Sequence, residues 1–148
     1  MTRLARSLLL ALLAIALPAC GSKAPEPDVV YRKFHGAAVR FAQTSDSGDQ
    51  LEMFELLSTA SRERLERDAK ALLANLPEGT PPVRPFELLI TRHFPLGESI
   101  ENIEVAPSGD RRVTLHVSFA KGTADVAMVR EERGWRIALF PDAPTGGP

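Results

Sequence analysis

A single cysteine, a single tryptophan, a single tyrosine and three histidines leave this 148-residue chain short of the groups on which site chemistry is usually built. One cysteine cannot close a disulfide within the chain or supply a Cys-x-x-Cys pair for redox work or zinc. His35, His93 and His116 are far apart, and no His or Cys pair stands at the i,i+4 spacing that ligands on one helix face require. No metal or cofactor is expected. The sequence also has no Gly-x-Ser-x-Gly elbow, phosphate-binding loop or dinucleotide fingerprint. Charge of one sign is not in excess either: 18 Lys and Arg face 19 Asp and Glu, so nucleic acid is not an electrostatically natural partner. The longest apolar run, Leu8 to Leu17, is about half the roughly 20 residues that span a bilayer.

What the run does have is a context. Arg3 and Arg6 precede it, and the small-residue site Pro18-Ala19-Cys20 follows, which is the layout of an export signal. Cleavage would leave 16 basic against 19 acidic residues, a net charge of −3, which does not suit an anionic membrane surface. The only cysteine thus stands at the exit of the signal. Leu17-Pro18-Ala19-Cys20 resembles the bacterial lipobox, in which the cysteine becomes the first residue of the mature chain. The resemblance implies acyl chains on Cys20, and two or three chains are what make such anchoring stable, because one binds only marginally. The plainer alternative is a secreted protein with a spare cysteine. Gly21 lacks the aspartate that retains lipoproteins at the inner membrane, so the resemblance implies an outer-membrane location facing the periplasm. Residues 1–19 are therefore the signal peptide and 20–27 a lipidated tether, rich in small residues, proline and charge, that reaches roughly 20 Å when extended.

Residues 28–140 suffice for one domain, and 141–148 read as a flexible tail. Asp28 is a candidate N-cap for a helix whose Val30, Phe34, Ala37 and Phe41 share a face. After the turn residues of "TSDSGDQ", Asp49 with Glu52 resembles a capping box opening a short helix around Met53, Phe54, Leu56 and Leu57. A third helix restarts near Thr59 or Ser61, with Leu65, Ala69, Leu72 and Leu76 as its buried stripe and Pro77 and Gly79 as its end. Its charges pair at i,i+4, Arg62 with Glu66, Glu63 with Arg67, Arg64 with Asp68 and Glu66 with Lys70, which predicts a solvated, self-paired face.

Beyond the proline-rich connection, "FELLITRHF" suits one or two helical turns or a short buried strand. Alternation then takes over. Ile103 and Val105 alternate before the turn "PSGD"; Val113, Leu115, Val117 and Phe119 form one face of the next strand and Thr114, His116 and Ser118 the other. Turns at Lys121-Gly122 and Arg133-Gly134 lead into "TADVAMVRE" and "WRIALF". The expected fold is α+β: N-terminal helices packed on one face of a curved antiparallel sheet of about four strands.

This order of parts resembles the NTF2-like (cystatin-like α+β cone) superfamily, particularly its small secreted or lipoprotein members of the DUF4878 type; the matching segments are "SGDQLEMFELLSTASRERL" and "VTLHVSFAKGTADVAMVREERGWRIAL". The resemblance implies a sheet wrapped around a cavity closed by the helices, in which enzymes of the superfamily hold an aspartate or histidine. The residues that could face such a cavity or bind there are His35, Arg92, His93 and Trp135. Each has a plainer reading, a boundary residue for His35, a cap or boundary for Arg92-His93, and core for Trp135. His116 reads as a surface or subunit-contact residue and Asp125 as solvent-facing. With no catalytic constellation evident, an enzyme is not the favoured reading. The first hypothesis is a membrane-anchored envelope lipoprotein whose non-catalytic domain binds a partner protein or a small apolar ligand. The alternatives are an enzyme using His93 or Asp125 as base, and an assembly subunit pairing with a second copy through its sheet face.

Overall fold

The chain folds as α+β. The computed structural model describes residues 24–89 and 98–140. Three helices come first, α1 (Pro27–Thr44), α2 (Ser47–Glu55) and α3 (Thr59–Ala74), followed by a single 3-10 turn at Pro85–Leu88. Four strands follow, β1 (Ile100–Gly109), β2 (Arg112–Phe119), β3 (Gly122–Glu131) and β4 (Gly134–Ile137), in an open antiparallel sheet of order β1-β2-β3-β4. Each strand is hairpinned to the next, and two register shifts interrupt β1, at Ile100/Asn102 and Pro107/Gly109. Among the described residues no helix is long and apolar enough to cross a membrane.

Because side chains alternate along a strand, the register puts Val113, Leu115, Val117 and Phe119 of β2 beside Val126 and Met128 of β3 and Ile137 of β4 on one buried face. Against it lie Val30, Tyr31, Phe34, Ala37 and Ala38 from α1, Met53 from α2 and Leu65 from α3. Alternation chooses the face, but burial needs a covering element. Val105 pairs with the fully buried Leu115, yet on the edge strand β1 it stays 46% exposed. Leu72, expected in the α3 stripe, is 42% exposed, because the buried part of that helix ends with Leu65 and Ala69.

The caps differ from the expected ones. Glu26, not Asp28, is the N-cap of α1, and Asp28 lies in the first turn. Asp46, not Asp49, caps α2, its carboxylate accepting from the Gly48 N–H at 2.7 Å. Asp49 instead accepts from Arg40 Nε at 2.8 Å, while Glu52 accepts from Arg40 Nη2 at 2.6 Å, and these bonds tie α2 back to α1. Those partners, the Asp49 bond foremost, push the Arg40 pKa above its ordinary value. The "PSGD" segment also differs, running as strand to Gly109 so that the turn falls at Asp110-Arg111.

The junction of α2 and α3 is stitched to the sheet. Ile137 N–H donates to Leu56 O at 3.0 Å and Ser58 N–H to Ile137 O at 2.8 Å, a single parallel bridge at Leu57 along the β4 edge. Ser58 then caps α3, its Oγ accepting from Ser61 N–H at 3.2 Å and donating to Ser61 Oγ at 2.9 Å. Ser61 Oγ also accepts from Leu139 N–H at 3.0 Å, so the cap is wired to the chain leaving β4. Ser58→Ala is expected to destabilise the fold by about 1 to 2 kcal/mol, read as a lower urea midpoint.

Candidate functional site

The stitched junction brings the first turn of α3 beside the turn end of the β3–β4 hairpin. That hairpin turns at Glu132-Arg133 and needs Gly134 at φ 109°, a conformation that side chains disfavour. Between the two elements lies a cleft of about 920 Å³. Five arginines line it: Arg62 from α3, Arg111 from the β1–β2 turn, Arg130 from β3, Arg133 from the hairpin turn and Arg136 from β4. The carboxylates along its wall are Glu55, Glu131 and Glu132, so the cleft is locally cationic in a chain of formal net charge −1.

The hydrogen bonds show how these charges are used. Glu131 accepts from the Thr59 N–H at 2.7 Å and from Thr59 Oγ1 at 3.0 Å, so its carboxylate already serves the positive end of α3. None of the five arginines lies within ion-pair distance of a carboxylate among the described residues. Arg111 Nε donates to Arg130 O at 2.9 Å and Arg136 Nη1 to Trp135 O at 2.9 Å, bonds that position the guanidiniums without neutralising them. Arg62 was expected to pair with Glu66. It reaches instead toward Thr59 Oγ1 at 3.4 Å, and its buried Nε–H has no partner among the described residues. A buried donor left unpaired is costly, and clustered cations repel one another.

Three arginines elsewhere are held by carboxylates. Besides Arg40, Arg64 closes on Asp68 at 3.1 Å, the i,i+4 contact expected on α3. Arg84 pairs with Glu87 at 2.9 Å, and the Arg84 backbone N–H, then its side chain, hold the Glu87 carboxyl below its ordinary pKa. In the cleft five guanidiniums gather without such partners among the described residues.

Of the residues singled out from the sequence, Cys20, Arg92 and His93 lie outside the described residues. His35 is buried on α1, its ring centroid 6.2 Å from that of Tyr31 and 5.8 Å from that of Phe119, and it borders a second cleft of about 520 Å³ shared with Arg32, Val39 and Ile100. Trp135 is half-buried on β4, packed against the core and paired with Arg130. Asp125 faces solvent, as expected, but the register sets it opposite His116, and His116 Nδ1 meets Asp125 Oδ1 at 2.6 Å on the outer face of the sheet. Both side chains are well exposed there, so bulk water surrounds the pair. Among the described residues no three His, Cys, Asp or Glu side chains are grouped as a metal site requires.

Sequence reasoning missed the cleft. Its arginines come from three separate stretches of the chain, at 62, at 111 and at 130–136, and each in isolation reads as an ordinary solvated charge. The available signal was weak: "RGWR" and "VREER" place Arg130, Arg133 and Arg136 at one hairpin end. Comparison with known protein families, with curated proteins and with solved structures finds no match for this chain.

Proposed function

We propose that this chain is an envelope lipoprotein, tethered through Cys20 to the outer membrane and facing the periplasm, whose α+β domain is an NTF2-like cone acting as a non-catalytic binding module. The observation that carries the binding reading is the cleft of unneutralised arginines beside the first turn of α3. It offers charge and hydrogen-bond donors, which hold a ligand. The buried positions on the inner face of the sheet are apolar, and the His116–Asp125 pair lies on the opposite face. The short bridge at Leu57, between two helices and against the last strand, is the feature of the chain path that favours the cone reading. The arginine lining shifts the expected ligand from apolar to anionic.

Intact mass of the protein from the membrane fraction tests the tether. Loss of residues 1–19 with acyl chains on Cys20, absent in Cys20→Ala, is the expected result; an unmodified chain in the soluble fraction would overturn the lipoprotein reading.

A second reading, pairing through the sheet, is favoured by the outer face. Register places Glu104, His116 and Asp125 in one cross-strand row, Ala106, Thr114 and Ala127 in the next, and Arg112, Val129 and Arg136 in the third. A two-fold axis through the small middle row would bring the acidic row of one copy onto the basic row of the other. Sedimentation that finds only monomer at high concentration would exclude this pairing.

A further inference from the structure

We infer that the arginine cleft is a binding site for a multivalent phosphate oxyanion, a polyphosphate or a molecule carrying more than one phosphate ester. The inference rests on the reading of the domain as a binding module and is independent of the lipid tether.

Three observations carry it. First, the guanidiniums converge from the helix side (Arg62), the strands (Arg130 and Arg136) and two turns (Arg111 and Arg133). A planar carboxylate satisfies one guanidinium fork, whereas phosphate presents oxygens in several directions and meets donors arriving from several sides. Second, the α3 amide at Thr59 is already capped by Glu131, so an entering anion is met by the arginines and not by the helix end. The unpartnered Nε–H of Arg62 is a donor built into the wall without an acceptor of its own. Third, about 920 Å³ is far more than one phosphate fills and falls within the size range of small-molecule sites. Five cations against three wall carboxylates, one already bonded to Thr59, favour a ligand of charge −2 or greater.

Such a ligand is either free or the headgroup of a phosphorylated lipid, and the test separates these sources. Inorganic tripolyphosphate is titrated into the full chain by calorimetry and by thermal unfolding. The expected result is saturable binding that raises Tm by mass action and weakens steeply with salt. Arg62→Lys, which keeps charge but loses the fork, and the exposed turn variant Arg133→Gln should each weaken binding by about ten-fold or more. Arg67→Gln on the exposed face of α3 removes the same formal charge and should change it less than about two-fold. If Arg62→Lys unfolds, Arg111→Gln with Arg133→Gln, both at exposed turns, carries the comparison.

For the source, Cys20→Ala chain is mixed with phosphatidylcholine vesicles containing phosphatidylinositol 4,5-bisphosphate, whose headgroup carries more than one phosphate ester. Vesicle binding competed by tripolyphosphate assigns the site to a lipid headgroup; tripolyphosphate binding without vesicle binding assigns it to a free ligand. No saturable binding, equal losses in Arg67→Gln and Arg133→Gln, or tighter binding of a polyglutamate peptide than of tripolyphosphate would overturn the proposal. A chain that binds tripolyphosphate but carries no acyl group on Cys20 would leave this site standing while removing the tether.

Discussion

Ile137→Ala lowers the free energy of unfolding by about 2 to 5 kcal/mol, a large share of the roughly 5 to 15 kcal/mol that holds a domain of this size. The side chain is 1% exposed and faces Met128, while its backbone N–H and C=O make the two bonds that hold Leu56 and Ser58 to the sheet. Truncation removes buried methyl groups and opens a cavity where the sheet edge, the end of α2 and the start of α3 meet. The surroundings cannot collapse easily into that space, because the same residue's backbone fixes their positions. Urea unfolding checks it: the midpoint should fall with the slope unchanged. Val105→Ala, on the exposed end of β1, should cost less than about 1 kcal/mol although Val105 and Ile137 are both apolar strand residues. Equal effects at the two sites would mean that the seam at Leu57 does not concentrate the packing.

Alkaline instability that traces to one hydroxyl is the second expected result. Tyr31 is the only tyrosine, its side chain is fully buried, and its hydroxyl has no hydrogen-bond partner among the described residues. Burial disfavours the phenolate and pushes the pKa up to about 12. In the unfolded chain the same group titrates near 10. The contribution of the neutral phenol to stability is therefore complete below about pH 10 and is lost as pH rises toward about 12, because the unfolded chain releases its proton first. The loss is about 2 kcal/mol over that window. Tyr31→Phe should remove this slope, and at neutral pH it should be as stable as the parent or more so, since it deletes a buried polar group that bonds to nothing. Tyrosinate absorbance reports the event directly, because no other tyrosine contributes. Ionisation that appears well before unfolding would show that water reaches the hydroxyl in the folded state.

Much of the fold was legible because it depends on local periodicity. Val30, Phe34 and Ala37 share a helix face at any orientation of that helix, and Val113 through Phe119 alternate whatever covers them. Cap choice was less legible. Asp46 and Asp49 are both aspartates in one turn segment, and what separates their roles is Arg40, six residues before Asp46, reaching across from α1 to take Asp49. The exposed Leu72 and Val105 failed for a related reason: apolar spacing names a face, while the length of the facing element decides how much of it is covered.

By itself, the sequence determined the class of fold and the order of its helices and strands, because each depends on neighbours a few residues apart. Only the tertiary structure decided which charges are left without partners. Arg62 could be paired on paper with Glu66, but the bridge between Leu57 and Ile137 swings the start of α3 onto the β3–β4 hairpin and turns that arginine toward four others. The Asp125 carboxylate met His116 only when the strand register set them opposite one another. Coulomb interactions depend on distance through space, and a chain's linear order carries that distance only after folding has closed it.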